Sequence, residues 1–236
     1  MDSIFDTLME LPLFQGVSRL KLSELVEKVP FHFIKYRDGD TIVSVGDKCD
    51  SLLFLVSGQA RIDIPCKNKR IHFLETLAAP NVIGPDYLFG KTTNYPFSVY
   101  SRGVCGTLQI AKSDYINMIQ SDRVFLFNIL NMLSRNTQRN TASILALTKG
   151  TIVERIAHFV NSLTHPEGTD IKIAFRQKDF STMLGAQRTS FINALERLKD
   201  VGAIDYSLTE IVIKDRNKLS SVSGNNDWRR RTVTFE

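Results

Sequence analysis

Cysteine is scarce in this 236-residue chain: three residues, Cys49, Cys66 and Cys105, are scattered singly with no Cys-x-x-Cys pair. An odd count of isolated thiols argues against a disulfide framework. With no cysteine before Cys49, the N-terminal segment lacks the clustered thiolates that an iron–sulfur sensor needs. Histidine is nearly as scarce, and His32, His72, His158 and His165 show no His-x-His spacing, so a jelly-roll metalloenzyme is not expected. His72 and Cys66 share one region, yet a lone histidine on a β surface is more often a plain surface or core residue than a haem ligand. No catalytic residue and no metal site is assigned. No apolar run approaches ~18 residues, the lower limit for a membrane-spanning helix. The first residues also lack the basic-plus-apolar pattern of a secretion signal. A cytoplasmic location with no membrane partner is the expectation.

What is present is ordinary globular composition, 43% hydrophobic and 23% charged, with a net charge of +5 and a pI near 9.1. That length suits one large domain or two ordinary ones. The basic balance permits nucleic-acid binding without demanding it, and the local pattern says more. In Arg176–Lys199, Phe180, Met183 and Leu184 form one apolar face at i, i+3, i+4, and Phe191, Ala194, Leu195 and Leu198 form a second. Gly185 between them supplies the positive φ of a helix end and sharp turn. The pattern predicts two short helices in a helix-turn-helix, with an ordinary helical hairpin as the plainer alternative. Arg188, Thr189, Ile192 and Asn193 then lie on the outer side near the start of the second helix. Arginine bonds guanine through a bidentate fork, asparagine does the same to adenine, and threonine or isoleucine meets a thymine methyl.

After Val201-Gly202-Ala203-Ile204 closes the second helix, Asp205 to Ile213 predicts two short strands around a polar turn, with β-branched Ile211, Val212 and Ile213. A helix-turn-helix followed by a hairpin is a winged helix, although Glu210 beside the wing tip weakens any phosphate contact there. Between Lys172 and Lys199, six cations (Lys172, Arg176, Lys178, Arg188, Arg197, Lys199) face only Asp179 and Glu196. Such a stripe is the electrostatic footprint expected beside DNA, with a solvated helix face as its bland counterpart.

Upstream, the first thirty residues read as helical, with Ser18 ahead of Leu20, Leu22, Leu25 and Val26. From Phe31 to about Ile110 the texture turns to short β segments: Thr41–Val45, Leu52–Val56, Ala60–Ile64, Ile71–Leu74 and Phe97–Tyr100. Turns are expected at Asp38-Gly39-Asp40, Gly46-Asp47, Ser57-Gly58 and Gly103. Many short strands suggest a small barrel or jelly roll. Ser113-Asp114 reads as a helix cap. A long helix from about Asp122 to Leu147 carries a seam of Leu126, Leu130, Leu133, Thr137 and Ile144, either a dimer coiled coil or a face packed on its own β domain. Lys149-Gly150 marks a hinge, Ile152–Leu163 a further helix, Thr164–Gly168 a turn, and Ile171–Ile173 a strand able to pair with the wing. Ser220 to Asn226 and the Asp227-Trp228-Arg229-Arg230-Arg231 run have the composition of a flexible tail.

This order of parts resembles the Crp/Fnr family of bacterial transcription regulators from about Leu11 to Ile213. The resemblance rests on Leu11-Pro-Leu-Phe-Gln-Gly16, on Tyr36 to Val43, Gly46 to Gly58 and Ile83-Gly84 through Leu88-Phe89, and on Arg176-Gln177 with Gly185 through Arg188. It implies an α+β fold: a cyclic-nucleotide-binding-like β-roll over 1–120, a long dimerisation helix over 121–149, a winged helix-turn-helix over 150–216 and a tail over 217–236. Carried over, the DNA-binding set is Gln177, Gln187, Arg188, Thr189, Ser190, Ile192, Asn193 and Arg197, with Arg188 and Asn193 reading bases and the two glutamines near helix starts holding phosphates. Thr189 stands where many members have Glu. The effector pocket falls on Gly84, Asp86, Leu88, Phe89, Lys91, Tyr95, Phe97 and Ser98. Cyclic-nucleotide binders of the family place Gly-Glu at the start of the phosphate cassette and Arg followed by Ser or Thr at its end. Here Pro85-Asp86 follows Gly84, and no arginine lies before Ser98. Lys91 is a point charge rather than a bidentate fork, which argues against cyclic AMP and leaves another small effector or none. The expected protein is a homodimeric regulator that binds double-stranded DNA, with RNA polymerase as the partner the family implies. The alternative is a small-molecule-binding module acting through protein contacts.

Overall fold

The computed structural model describes residues 2–66, 70–148 and 150–222. Contacts divide the chain into two units, Met1–Asp63 with Thr76–Gln138 and Ile64–Glu75 with Arg139–Glu236. The first opens with α1 (Asp2–Glu10), a 3-10 turn at Pro12–Phe14 and α2 (Arg19–Lys28). Ser18 caps α2, its hydroxyl accepting from the Lys21 N–H at 3.3 Å, as the serine ahead of an apolar periodicity predicts. The strands follow: β1 (His32–Tyr36), β2 (Thr41–Val43), β3 (Ser51–Cys66), β4 (Ile71–Ala78), β5 (Asn81–Ile83) and β6 (Ser98–Ala111). β6 is the hub, antiparallel to β1 from His32↔Gln109 to Tyr36↔Cys105 and to β3 from Ser51↔Ala111 to Asp63↔Ser98. Phe14, Phe54 and Phe125 stack at 5.6 and 5.8 Å between ring centroids and close this core.

Two expected turns are corrected here. Ser57-Gly58 and Gly103 do not end strands: the expected Leu52–Val56 and Ala60–Ile64 strands fuse into β3, and Gly103 lies inside β6. The register shifts between Leu55 and Gln59, so that Gly58 faces the longer stretch from Gly103 to Cys105. Gly58 has φ +76°, and a Cβ there would lie 2.4 Å from the Val104 carbonyl oxygen. Turn chemistry is spent on a bulge that bends two long strands without breaking them. The expected cap at Ser113-Asp114 is also displaced. The helix α3 (Lys112–Ser121) has Ala111 at its N-cap, two residues before Ser113, and its first N–H, from Lys112, bonds the Asp50 carbonyl instead.

The helix α4 (Arg123–Thr148) then runs 26 residues. Phe125 and Ile129 are buried, while Leu126, Phe127, Leu130, Ile144 and Leu145 stand 39–63% exposed.

In the second unit come α5 (Ile152–Leu163), β7 (Thr169–Ala174), α6 (Gln177–Met183), α7 (Arg188–Asp200), β8 (Ile204–Tyr206), β9 (Glu210–Ile213) and α8 (Arg216–Val222). Thr151 and Glu154 form a reciprocal capping box at the start of α5. β7 pairs antiparallel with β9 (Ile173↔Ile211), and β9 with β8 (Asp205↔Val212). The strand expected at Ile171–Ile173 thus does join the wing hairpin. Phe175, Phe180 and Phe191 contact one another at 5.1–6.2 Å at the centre of the core. Ile71 and Phe73 of β4 enter the same core, both at 0% exposure. The first part of the tail expected from 217 instead falls in α8, residues 216–222, with Leu219 fully buried, and the rest of that expected tail lies outside the described residues. Asp227 to Arg231 lies outside the described residues.

Candidate nucleic-acid interface and roll interior

Of the first expected face, Phe180 on α6 and Leu184 at its C-cap are buried and Met183 is half-buried, while α7 buries the whole of the second, Phe191, Ala194, Leu195 and Leu198. Gly185 turns the chain between them at φ +63°. Of the expected DNA-binding set, Gln187, Arg188, Thr189, Ser190, Asn193 and Arg197 are exposed, whereas Ile192, expected on the outer side, and Gln177 are half-buried. The α7 N-cap, Gln187, makes no side-chain cap bond, so the amides of the first turn keep their donors for an anion. The Arg188 guanidinium donates to the Gln177 side-chain oxygen at 3.4 Å, linking the start of the second helix to the start of the first.

The six cations of the stripe split into two groups. Lys199 sits 3.1 Å from Asp205 and 5.6 Å over the Tyr206 ring, and Lys172 lies 4.0 Å from Glu210. Those two brace the wing. The Glu210 carboxylate, expected to weaken a phosphate contact, is thereby drawn toward Lys172. Arg176, Lys178, Arg188 and Arg197 are exposed, and among the described residues no carboxylate lies within ion-pair distance of them.

In the roll, Gly84 adopts the left-handed conformation and begins a short 3-10 turn, Pro85–Tyr87. A Cβ on Gly84 would lie 2.7 Å from the Tyr95 ring and 3.0 Å from that of Phe97. Tyr87, Tyr95 and Phe97 form a ring cluster with centroids 5.6–6.4 Å apart. Tyr95 and Phe97 are buried, and the Tyr95 hydroxyl lies 3.1 Å from the Cys49 thiol. Burial raises the pKa of both groups above the usual range, so this pair is neutral packing rather than a reactive centre. The other residues of the expected pocket have partners or positions of their own. Leu88 is fully buried and the Ser98 hydroxyl accepts the Val45 N–H at 3.0 Å. Phe89 contacts Tyr115 and carries Lys112 at 4.9 Å over its ring. Lys91 is exposed. Asp86 accepts from the Asn136 amide of α4 at 2.9 and 3.1 Å, which the sequence did not signal.

Sequence reasoning also missed a buried polar cluster in the second unit. Glu75 of β4 is 3% exposed, and its carboxylate accepts the His165 N–H at 2.7 Å. Burial pushes the Glu75 carboxyl up to about 7, against the opposing pull of Arg216 and Arg139. Burial, with the same two guanidiniums, pushes the His165 imidazole down to about 4. Arg216 anchors the turn by donating to the Thr164 hydroxyl at 2.9 Å, to Asn161 at 3.1 Å and to the His165 carbonyl. Among the described residues no cluster of His, Cys, Asp and Glu could hold a metal, and no helix is long and apolar enough to cross a membrane.

Two family models match the sequence, a cyclic nucleotide-binding domain over residues 33–122 and a Crp-like helix-turn-helix domain over 154–222. The chain is 22% identical to the cAMP-activated global transcriptional regulator CRP of Pasteurella multocida, covering 77% of this chain and 90% of that protein. It is 27% identical to the regulatory protein YeiL of Escherichia coli O157:H7, over 82% and 84%. The solved structure of Thermus thermophilus catabolite activator protein superposes with a TM-score of 0.53 at 16% identity, covering 90% of this chain and 98% of that one. That superposition supports the fold.

Proposed function

The chain belongs to the Crp/Fnr family of transcription regulators, and from that premise we propose that it works as a homodimer whose α7 helices read a pseudo-palindromic duplex while the roll answers to an effector other than cyclic AMP, or to none. The observation that carries this reading is the face of α7: Arg188, Thr189, Ser190 and Asn193 are all exposed on a helix whose opposite side is wholly buried. Thirteen residues give α7 a length of ~20 Å, enough to lie in a major groove ~12 Å wide. Arg188 and Asn193 address base edges. The free amides below Gln187, with Gln177, Arg176 and Arg197, address phosphates. The α4 seam of Leu126, Leu130, Leu133, Thr137 and Ile144 supplies the two-fold contact, which places the half-sites one helical turn, ~34 Å, apart. Such a protein works beside the chromosome in the cytoplasm, with RNA polymerase as its partner.

The roll departs from the cyclic AMP pattern in charge and in space. Asp86 is tied to Asn136, no arginine stands between Gly84 and Ser98, and the Tyr95 and Phe97 rings occupy the space against Gly84. A cyclic phosphate would meet aromatic carbon where a guanidinium is needed.

Selection from a random duplex pool with the purified protein tests the reading. An enriched inverted repeat without added ligand supports an effector-independent dimer, and enrichment only with a metabolite extract supports an effector-gated one. No enrichment under either condition returns the chain to a module acting through protein contacts. On the selected repeat, Arg188→Ala should cost about 1–3 kcal/mol and relax preference at one base position. Unchanged affinity and preference would remove Arg188 from the base-reading set.

A further inference from the structure

Arg155 lies outside every residue assigned to DNA contact, yet it joins two backbone positions from separate segments, the end of α6 and the residue before α5. It sits one turn into α5, just after the Thr151–Glu154 capping box. Its guanidinium donates to the Leu184 carbonyl at 3.0 Å and to the Gly150 carbonyl at 3.3 Å. Leu184 is the C-cap of α6, where carbonyls lose their intrahelical donors and the helix dipole favours a cation. Gly150 is the left-handed residue, φ +105°, that separates α4 from α5. A Cβ on Gly185 would lie 3.7 Å from the same guanidinium, so the arginine head lies directly beneath the turn. That turn is otherwise held by short backbone bonds, Gly185 N–H to Thr182 and Ala186 N–H to Ser181 at 3.1 and 2.9 Å. Two residues later α7 begins.

We propose that Arg155 is a positioning residue that fastens the α6–α7 turn to the α4–α5 junction and thereby sets the angle at which α7 presents Arg188 and Asn193. A planar guanidinium spans two carbonyls with separate nitrogens, whereas a lysine ammonium, a single point donor, holds one of them at a time. The charge alone satisfies the helix end; the span fixes the geometry. This inference rests on the DNA-binding reading for its consequence but not for its structural content.

The test compares the parent with Arg155→Lys and Arg155→Met in two measurements. The first is affinity for the selected inverted repeat and for a random duplex. Both variants should lose about tenfold, ~1.4 kcal/mol, in preference for the repeat, with random-duplex affinity held within about twofold because the phosphate-facing cations are untouched. A general loss of structure would lower both affinities together. The second is amide hydrogen exchange of the full-length protein without DNA, in which the Gly185 and Ala186 amides should exchange about tenfold faster in Arg155→Met while β7 and β9 keep parental rates. Parental preference in either variant, or parental exchange at the turn, overturns the proposal. A parent that selects no duplex marks failure of the DNA-binding reading instead, and the exchange result still decides whether Arg155 holds the turn.

Discussion

Glu75→Gln is expected to stabilise the protein at pH 8 by about 3 kcal/mol and to leave it nearly unchanged at pH 4. The folded carboxyl titrates at about 7 against an ordinary 4.5, so the fold disfavours the ionised form. Below pH 4.5 the group is protonated in both states and costs nothing. Between 4.5 and 7 the unfolded chain gives up its proton first, and stability falls by about 1.4 kcal/mol per pH unit. Above 7 the whole cost remains. Glutamine is uncharged at every pH, and its oxygen keeps the bond from the His165 N–H. Arg216 and Arg139 offset part of the charge but do not replace the lost hydration, as is common for buried ion pairs.

The same cluster hides this effect in the parent. His165 titrates at about 4 in the fold against an ordinary 6.5, so its contribution is full above 6.5 and is lost as pH falls toward 4. Between 4.5 and 6.5 the two groups have opposite slopes and cancel. The parent should therefore show nearly flat stability there, and Glu75→Gln should expose the histidine as a rise of about 3 kcal/mol from pH 4 to 6.5. Denaturant unfolding across pH 4–8 checks both curves. A variant no more stable than the parent at pH 8 would mean that the Glu75 carboxylate is well solvated or well paired in the fold.

None of this was legible in the sequence. The bond from His165 to Glu75 spans 90 residues and that from Arg155 to Leu184 spans 29, and each uses a backbone group that carries no residue identity. The helix-turn-helix, by contrast, was legible almost residue by residue. Its apolar spacing is local, and burial of Phe180, Leu184, Phe191 and Leu198 needs only two amphipathic helices and a glycine. The β segments fell in between. Strand composition placed the roll, but Gly58 and Gly103 signal positive φ and not what the chain does with it; here it makes a bulge rather than a hairpin end. Around Gly84 the partners are likewise long-range. Asp86 has the chemistry of a ligand acid, and only the fold brings Asn136 to it. Tyr95 and Phe97 have the composition of a pocket wall, and only the fold presses them onto Gly84.

Leu130→Asp is expected to weaken self-association by at least about a hundredfold while leaving the protomer folded. Both halves of that outcome come from one helix. On α4, Phe125 and Ile129 are 2% and 3% exposed and belong to the protomer core, whereas Leu130 is 49% exposed, and Leu126 and Ile144, on the same seam, are 39% and 63%. The seam steps by four, three and four from Leu126 through Leu130 and Leu133 to Thr137, the spacing by which two helices supercoil. In a two-fold pair each Leu130 meets its own copy, so one substitution places two carboxylates together in an apolar layer, where neither finds a cation. Since Leu130 is half exposed in the protomer, an aspartate there remains hydrated when the chain is alone, and its melting temperature should move little. Sedimentation across a dilution series separates the states. The monomeric variant should also lose affinity for the inverted repeat far more than for an isolated half-site, because the second α7 no longer arrives tethered to the first. A Leu130→Asp protein as firmly dimeric as the parent would move the two-fold contact off this seam. It would also leave the exposed Phe127 and Leu145, which flank it, as the next face to substitute.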